Sequence, residues 1–104
     1  MQILNLPTFA YKIQYATKTG HQIFDVVRKK YVKLTPEEWV RQHFLHYLIH
    51  HLAYPKALVR LEREVPHYFL RYRPDIVVYN RLAQPLMLVE CKAPHVTIGN
   101  RKVL

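Results

Sequence analysis

The sequence predicts an α/β domain of the α+β kind, with a mixed, mostly antiparallel sheet, one helix that covers it and an N-terminal β-hairpin. Three observations indicate this class: two pairs of strand-like segments are each joined by turn residues, one segment has clear helix start and stop signals, and 50% of the residues are hydrophobic. The 104 residues contain neither a repeat nor a Gly/Ser linker, so residues 1–104 are expected to form a single domain with one modest core.

The N-terminal hairpin is predicted from two short strand-like runs, residues 11–15 and 22–27. The segment 17–20 between them ends in Gly20, which suits a turn. The basic segment 28–30 follows directly, and on its own it is most simply a solvated turn.

A helix is predicted to begin at Pro36 and to run to about residue 52. Thr35 suits the N-cap, Pro36 suits the first helical position, and Glu38 stands where a capping box places its carboxylate. The helix is expected to end before Pro55, because the residue that precedes a proline disfavours the helical conformation.

The predicted helix carries two charged residues within its apolar face. The apolar face is formed by Val40, Phe44, Tyr47, Leu48 and Leu52. Glu37 and Arg41 fall inside this face, whereas Glu38 lies at a large angle from its centre. A carboxylate that points toward a small core needs a partner. Glu37 is therefore predicted to face inward and Glu38 to cap the helix.

The C-terminal half is predicted to contain three strands. Residues 58–65 alternate between apolar and polar, and residues 66–70 form a loop. Residues 73–79 and 86–91 are apolar, β-branched runs joined by polar turn residues at 80–84. These last two runs form a second hairpin.

The second hairpin brings three charged residues together. If its turn is symmetric about positions 82 and 83, Asp75 lies opposite Glu90, with both side chains on one face about 5 Å apart. Lys92 projects from the same face because side chains alternate along a strand, whereas Cys91 points the other way into the core and is not expected to be a nucleophile. Charges within apolar strands are unfavourable without a compensating purpose, so a functional site is preferred to ordinary strand charges.

Two neighbouring carboxylates repel each other unless a cation lies between them. Hard oxygen ligands suit Mg²⁺ or Mn²⁺, and such an ion can activate water and neutralise charge on a phosphodiester. Lys92 could orient that water or stabilise the phosphate. If the helix packs on the same face, Glu37 becomes a third acidic group near the metal.

The pair Pro74-Asp75, followed after a fourteen-residue gap by Glu90-Cys91-Lys92, resembles the signature of the PD-(D/E)xK nuclease superfamily. A narrower resemblance, over roughly residues 24–98, is to the N-terminal nuclease domain of type I restriction enzyme R subunits and to short stand-alone bacterial proteins with the same domain. It is carried by Thr35-Pro36-Glu37-Glu38-Trp39-Val40-Arg41-Gln42, Tyr54-Pro55-Lys56 and Leu88-Val89-Glu90-Cys91-Lys92-Ala93-Pro94.

The resemblance implies a role for each residue of the motif. Asp75, Glu90 and the main-chain carbonyl of Cys91 would bind the metal, and Lys92 would be the catalytic lysine. Glu37, four residues before the helix arginine as in the family's Glu-x-x-x-Arg helix, would be the accessory acid. The expected protein is a Mg²⁺-dependent DNA endonuclease domain with a restriction-endonuclease-like fold, in which Mn²⁺ could substitute.

The relatives carry a further helix after the Glu-x-Lys strand, and this sequence reaches Leu104 about where that helix should begin. The domain is therefore expected to lack it. A second copy of the chain or another restriction-modification subunit would then be a partner besides DNA. The alternative is a non-catalytic nucleic-acid-binding or subunit-assembly module with the same fold.

Charge points to a polyanionic partner. The formal net charge is +9, which favours nucleic acid because Lys and Arg neutralise phosphates and release counterions. The proposed surface comprises Arg60, Arg63, Arg71, Arg73, Arg81, Arg101 and Lys102, with Tyr68, Phe69, Tyr72 and Tyr79 among them. Solubilising charge is the simpler alternative.

Other features indicate a soluble cytoplasmic protein. The apolar runs are too short for a membrane span, no signal peptide is recognisable, and the single cysteine excludes an internal disulfide. Trp39, His43, His46 and His50 form one stripe of the helix. This stripe is most simply a partly exposed polar face, and alternatively a contact surface for another subunit.

Overall fold

The computed structural model describes the backbone of residues 6–67 and 70–91 and the side chains of residues 6–65 and 73–91. Within these ranges, helix α1 spans Pro36–His46 and continues as a π-helical turn over Tyr47–His51, and a 3-10 turn covers Lys56–Leu58. The strands are β1 Ile13–Ala16, β2 Gly20–Asp25, β3 Lys30–Lys33, β4 Val59–Leu61, β5 Val65–His67, β6 Leu70–Tyr72, β7 Ile76–Tyr79 and β8 Pro85–Val89.

The N-terminal hairpin is confirmed and is part of a three-stranded antiparallel sheet with the order β1-β2-β3. Gly20 follows the first turn with φ +79°, a conformation that costs glycine little. The third strand was not predicted. This strand forms because the chain turns after Asp25. The buried carboxylate of Asp25 accepts hydrogen bonds from the backbone N–H groups of Val27 and Arg28, which stabilises the turn between β2 and β3.

The helix begins and ends close to the predicted residues. The hydroxyl of Thr35 accepts a hydrogen bond from the Glu38 backbone N–H at 3.0 Å, which is the expected N-cap. At the other end the Leu52 N–H donates to the Tyr47 carbonyl at 3.1 Å, and Ala53 adopts φ +60°, which turns the chain out of the helix before the proline.

The main sheet has the order β4-β7-β8, with both pairs antiparallel. One face of α1 packs on it and forms the core. The buried residues of this core are Phe44, Leu45, Leu48, Val59, Ile76, Val78, Val89 and Cys91. Tight packing of these side chains fixes the sheet relative to the helix and thereby positions the ends of β7 and β8.

The predicted strand over residues 58–65 is divided in two, and the predicted loop at residues 66–70 is wrong. Glu62 adopts φ +51°, so β4 ends at Leu61, and β5 then pairs with β6 in a two-stranded antiparallel ribbon. Pro66 is tolerated in β5 because a two-stranded ribbon leaves one side of each strand without ladder bonds.

The predicted α+β class, the covering helix and the N-terminal hairpin are thus confirmed. None of the helices in the described part of the chain has the length and apolar character that a membrane span requires.

Candidate active site

The pairing of Asp75 with Glu90 follows from the register of the second hairpin. Ile76 pairs with Val89 and Val77 with Leu88, so the next position of the ladder sets Asp75 opposite Glu90. This is the register that the sequence predicted. At the turn Tyr79 pairs with Pro85, and a shift of one position between Val78 and Tyr79 then sets the register of the remaining pairs, so the pairing of Asp75 with Glu90 depends on this irregularity.

Asp75 lies in a partly buried position at the start of β7. Its Oδ2 accepts a hydrogen bond from the Cys91 backbone N–H at 2.7 Å, which ties the two strand ends together. Burial raises the pKa of Asp75, and the neighbouring Glu90 carboxylate raises it further, while the Cys91 N–H and Arg41 act in the opposite direction. The net effect is a carboxylate that resists ionisation unless positive charge is added nearby.

Arg41 connects helix α1 to this carboxylate. Its Nη1 lies 4.0 Å from Asp75 Oδ1 and donates a hydrogen bond to Glu62 Oε2 at 3.1 Å. Its Nη2 and Nε donate to the two oxygens of Glu38 at 2.6 and 3.2 Å. Burial alone would lower the pKa of Arg41, but these bonds raise it, so the guanidinium stays charged.

The prediction that Glu37 faces inward is wrong, and Glu38 takes that place. Glu37 is exposed, whereas the side chain of Glu38 is 8% exposed and also accepts a hydrogen bond from Gln42 at 2.8 Å. The sequence-based prediction placed Glu37 inward because it assumed that only one side of helix α1, the apolar face, is buried. In the structure, both the core side and the side bearing Trp39 and Gln42 are covered, which moves the centre of the buried arc toward Glu38.

Glu62 is a member of the site that the sequence did not reveal. Its backbone N–H donates to the Asp75 carbonyl at 3.1 Å, so Glu62, Asp75 and Glu90 occupy successive positions across three strands. The hydrogen bond from Arg41 lowers the pKa of Glu62. In the sequence Glu62 belongs to the polar side of the alternating run 58–65, which gave no signal for a place in the site.

Arg28 completes the cluster from the first sheet. Its Nε donates to Asp25 Oδ2 at 2.6 Å, and its other nitrogens lie 3.6 Å from Glu38 and 3.9 Å from Glu62. The basic segment 28–30 is therefore more than a solvated turn, although Lys29 and Lys30 are exposed.

The cluster as a whole is acidic in a basic protein. Of the seven carboxylates in the sequence, five belong to it, and among the described side chains (residues 6–65 and 73–91) three guanidinium groups stand against them, an excess of two acidic groups. The members are Asp25, Glu38, Glu62, Asp75 and Glu90 with Arg28, Arg41 and Arg73. Such an excess attracts a cation while the rest of the chain attracts polyanions.

The donor set around Asp75 fits a hard divalent cation. Among the described residues, no group of three or more His, Cys, Asp or Glu side chains is arranged to hold a metal ion. Mg²⁺ does not need three, because it commonly takes one or two carboxylates and completes its shell with water and phosphate oxygens. Asp75 and Glu90 supply two carboxylates whose mutual repulsion a cation would relieve. Lys92 lies outside the described residues.

Cys91 behaves as the sequence predicted. Its side chain belongs to the core, and burial raises its pKa to about 12, with the charge of Asp75 as a further cause. A thiol with this pKa is almost wholly protonated at neutral pH, so it is not a nucleophile.

The aromatic and histidine stripe of α1 is covered by the N-terminal segment. The ring centroid of Phe9 lies 5.6 Å from that of Trp39, 4.8 Å from His43 and 4.5 Å from His46. Trp39 and His43 are buried, so the prediction of a partly exposed face is wrong for them, while His50 is exposed.

The fold and the paired carboxylates define a mixed α+β domain with an acidic site at the end of a β-hairpin. Residues 36–104, more than half of the chain, match the family described as Type I restriction enzyme R protein N terminus. The chain belongs to this family, as its motifs predicted. Searches of curated proteins and of solved structures gave no match.

Proposed function

We propose that this chain is a metal-dependent DNA endonuclease domain that hydrolyses phosphodiester bonds. The observation that carries the proposal is the placement of Asp75 opposite Glu90, where burial and repulsion together raise the pKa of Asp75. Membership of a restriction enzyme family supports DNA as the substrate.

In this proposal Asp75, Glu90 and the main-chain carbonyl of Cys91 hold Mg²⁺, for which Mn²⁺ can substitute. When bound, the ion would make a water molecule more acidic and neutralise negative charge on the phosphate. Lys92, from its place in the Glu-x-Lys motif, is the proposed catalytic lysine, and its ammonium would stabilise the charge that develops on the phosphate oxygens.

Glu38 replaces Glu37 as the helix acid of the proposed site, in a positioning role. Its two oxygens hold the Arg41 guanidinium, whose Nη1 lies 4.0 Å from Asp75 Oδ1. The charge of Arg41 lowers the pKa of Asp75 and so favours the ionised carboxylate that binds a cation. Glu38 therefore acts on the site through Arg41.

The test is nicking of a supercoiled plasmid in Mg²⁺ or Mn²⁺ by the wild-type chain and by Asp75→Asn, Glu90→Gln and Lys92→Met. We expect cleavage that EDTA abolishes and that each substitution reduces at least about a hundredfold. Glu37→Gln is the matched control, because it removes one exposed carboxylate from the same protein and should cut like the wild type. Cleavage by Asp75→Asn at the wild-type rate, or no cleavage with either metal, would refute the proposal.

A second candidate function is supported by the position of Arg41. The Arg41 guanidinium lies near Asp75 and Glu62 and supplies positive charge to the acidic cluster. In a site that does not bind metal, this charge would take the place of the cation. The chain would then be a nucleic-acid-binding or subunit-assembly module. This alternative predicts that the wild type retains the plasmid in a salt-sensitive manner without cutting it, and that Mg²⁺ does not raise its melting temperature.

A further inference from the structure

The six arginines whose side chains the structure describes fall into two groups according to whether a carboxylate lies within ion-pair distance. Arg28, Arg41 and Arg73 lie within 4.0 Å of carboxylates of the acidic cluster. By contrast, Arg60, Arg63 and Arg81 have no carboxylate within ion-pair distance in the described ranges 6–67 and 70–91. The charge of this second group remains available to an external anion.

The second group surrounds one cavity, which we call the arginine cavity. It has a volume of about 240 Å³, and its lining includes Arg60, Arg63, Arg81, Tyr79 and Asn80. Three arginines and one tyrosine thus line the same cavity. Guanidinium groups bind phosphate oxygens through forked hydrogen bonds.

Alternation along β4 places Arg60, which lines the arginine cavity, on the sheet face away from helix α1. Val59 and Val78 are cross-strand partners that pack on the helix, so the next pair, Arg60 and Val77, points to the opposite face. Arg60 is held there by a hydrogen bond from its Nη1 to the Val59 carbonyl at 2.9 Å. A fixed guanidinium loses little conformational entropy when it binds.

The cavity is connected to the candidate active site by a single strand. Strand β7 runs from Ile76, directly after Asp75, to Tyr79 in the cavity wall. Tyr79 is four positions beyond Asp75 along the strand, a distance of about 13 Å. A DNA backbone that rests in the cavity and runs along β7 would therefore pass the carboxylate pair.

Exposure favours a polymer over a small ion. Arg63 and Arg81 are exposed, whereas a site for a free anion would need buried donors that replace its water shell. Exposed guanidinium groups on a chain of formal net charge +9 suit contacts that release counterions from a nucleic acid backbone.

We propose that the arginine cavity binds a backbone phosphate of DNA next to the acidic site. This inference rests on the proposed function for its choice of DNA, but it concerns binding alone. It can therefore be tested without cleavage.

The experiment measures binding of a fluorescent DNA duplex by anisotropy in EDTA over a range of KCl concentrations. The test variant carries Arg60→Gln, Arg63→Gln and Arg81→Gln. The control carries Lys18→Gln, Lys30→Gln and Lys33→Gln, which removes the same charge from exposed positions of the first sheet. Melting temperatures of both variants establish that they fold. If the triple variant does not fold, the single variant Arg81→Gln, which changes an exposed turn position, replaces it in the binding experiment.

We expect the arginine variant to lose at least tenfold more affinity than the lysine control. The slope of log K against log[salt] should fall by about 0.9 in the triple variant, because the proposal assigns one phosphate contact to the cavity, and by less than this in Arg81→Gln, which keeps two of the three arginines. Equal losses in both triple variants would overturn the proposal, as would a wild type that does not bind DNA.

Two further arms separate related outcomes. If inorganic phosphate raises the melting temperature of the wild type but not of the arginine variant, and DNA binding is equal in both, the cavity is a small-anion site and the proposal fails. If the wild type binds DNA with the expected slopes but does not cut it in Mg²⁺, the nuclease proposal fails while the arginine cavity stands.

Discussion

Replacement of either of two neighbouring glutamates should have very different effects on stability. Glu38 accepts two hydrogen bonds from Arg41 and one from Gln42, and the side chains of the ion pair are 8% and 10% exposed. Glu37 is exposed. We therefore expect Glu38→Ala to destabilise the protein strongly and Glu37→Ala to leave it almost unchanged.

The magnitude follows from the environment of Arg41. Removal of one partner from a buried ion pair costs about 3–5 kcal/mol, because the other charge remains buried without its counterion. Glu62 keeps one hydrogen bond to the guanidinium, so the lower limit of about 3 kcal/mol applies. Exposed positions usually change stability by less than about 0.5 kcal/mol. Both glutamates lie in the first helical turn, so the loss of their interaction with the helix dipole cancels in the comparison.

The assay is urea unfolding followed by far-UV circular dichroism, with thermal unfolding as a second measurement. For a domain of this size a loss of about 3 kcal/mol corresponds to a decrease in melting temperature of roughly 12–24 °C. The double variant Glu38→Leu, Arg41→Met should recover part of the loss, because it removes both charges of the buried pair while Glu62 keeps Arg28 and Arg73 as partners. Equal effects of Glu37→Ala and Glu38→Ala would refute the placement of Glu38 in the buried network.

The remaining predictions concern the acidic pair, a histidine and the cysteine. Glu90→Gln should raise the free energy of unfolding in EDTA by about 0.5–1 kcal/mol, because it relieves repulsion of Asp75, and Mg²⁺ should raise the melting temperature of the wild type but not of this variant. Burial, followed by the charges of two other histidines, lowers the pKa of His46 from 6.5 to about 4. Between pH 6.5 and pH 4 the unfolded chain therefore binds more protons than the folded protein, so the free energy of unfolding falls as the pH decreases through this range. Between pH 7 and pH 5 the loss should be about 1 kcal/mol after allowance for solvent screening at a half-buried ring, and His46→Asn should flatten the pH dependence of urea midpoints. Cys91 should react with a thiol reagent only in denaturant, because its pKa of about 12 and its burial suppress the thiolate; rapid labelling of the native protein would contradict its position in the core.

The sequence was sufficient for features that depend on local chain geometry. The helix start at Thr35 depends on a side chain and a backbone N–H three residues apart, and this contact is specified by residue spacing alone. The assumption of a symmetric turn also gave the register that sets Asp75 opposite Glu90, although the structure reaches this register through a shift of one position between Val78 and Tyr79 that the sequence did not predict.

Features that depend on what packs against an element could not be predicted from spacing. The choice between Glu37 and Glu38 required knowledge that α1 is covered on a second side, where Phe9 lies against Trp39. Glu62 could not be identified because its contacts with Arg41 and Asp75 come from other parts of the chain, 21 and 13 residues away. In each case the deciding contact is between distant segments, which a pattern of apolar residues does not encode.

The separation of charge within the chain gives both proposals a common physical basis. Five of the seven carboxylates are gathered at the ends of strands β2, β4, β7 and β8 and beside the helix start, where the charge of Arg41 acts to lower the pKa of both Asp75 and Glu62. If Lys92 is counted with the site, the remaining basic residues outnumber the remaining acids by ten, so the field outside the cluster attracts polyanions while the field inside it attracts a cation. A uniformly basic surface would bind a phosphodiester anywhere on the protein. An acidic cluster repels phosphate until a cation neutralises it, so the scissile phosphate would approach Asp75 and Glu90 only when the metal is bound. Divalent metal should therefore strengthen DNA binding by the wild type but not by Glu90→Gln, and the arginine cavity would hold the same DNA in either state.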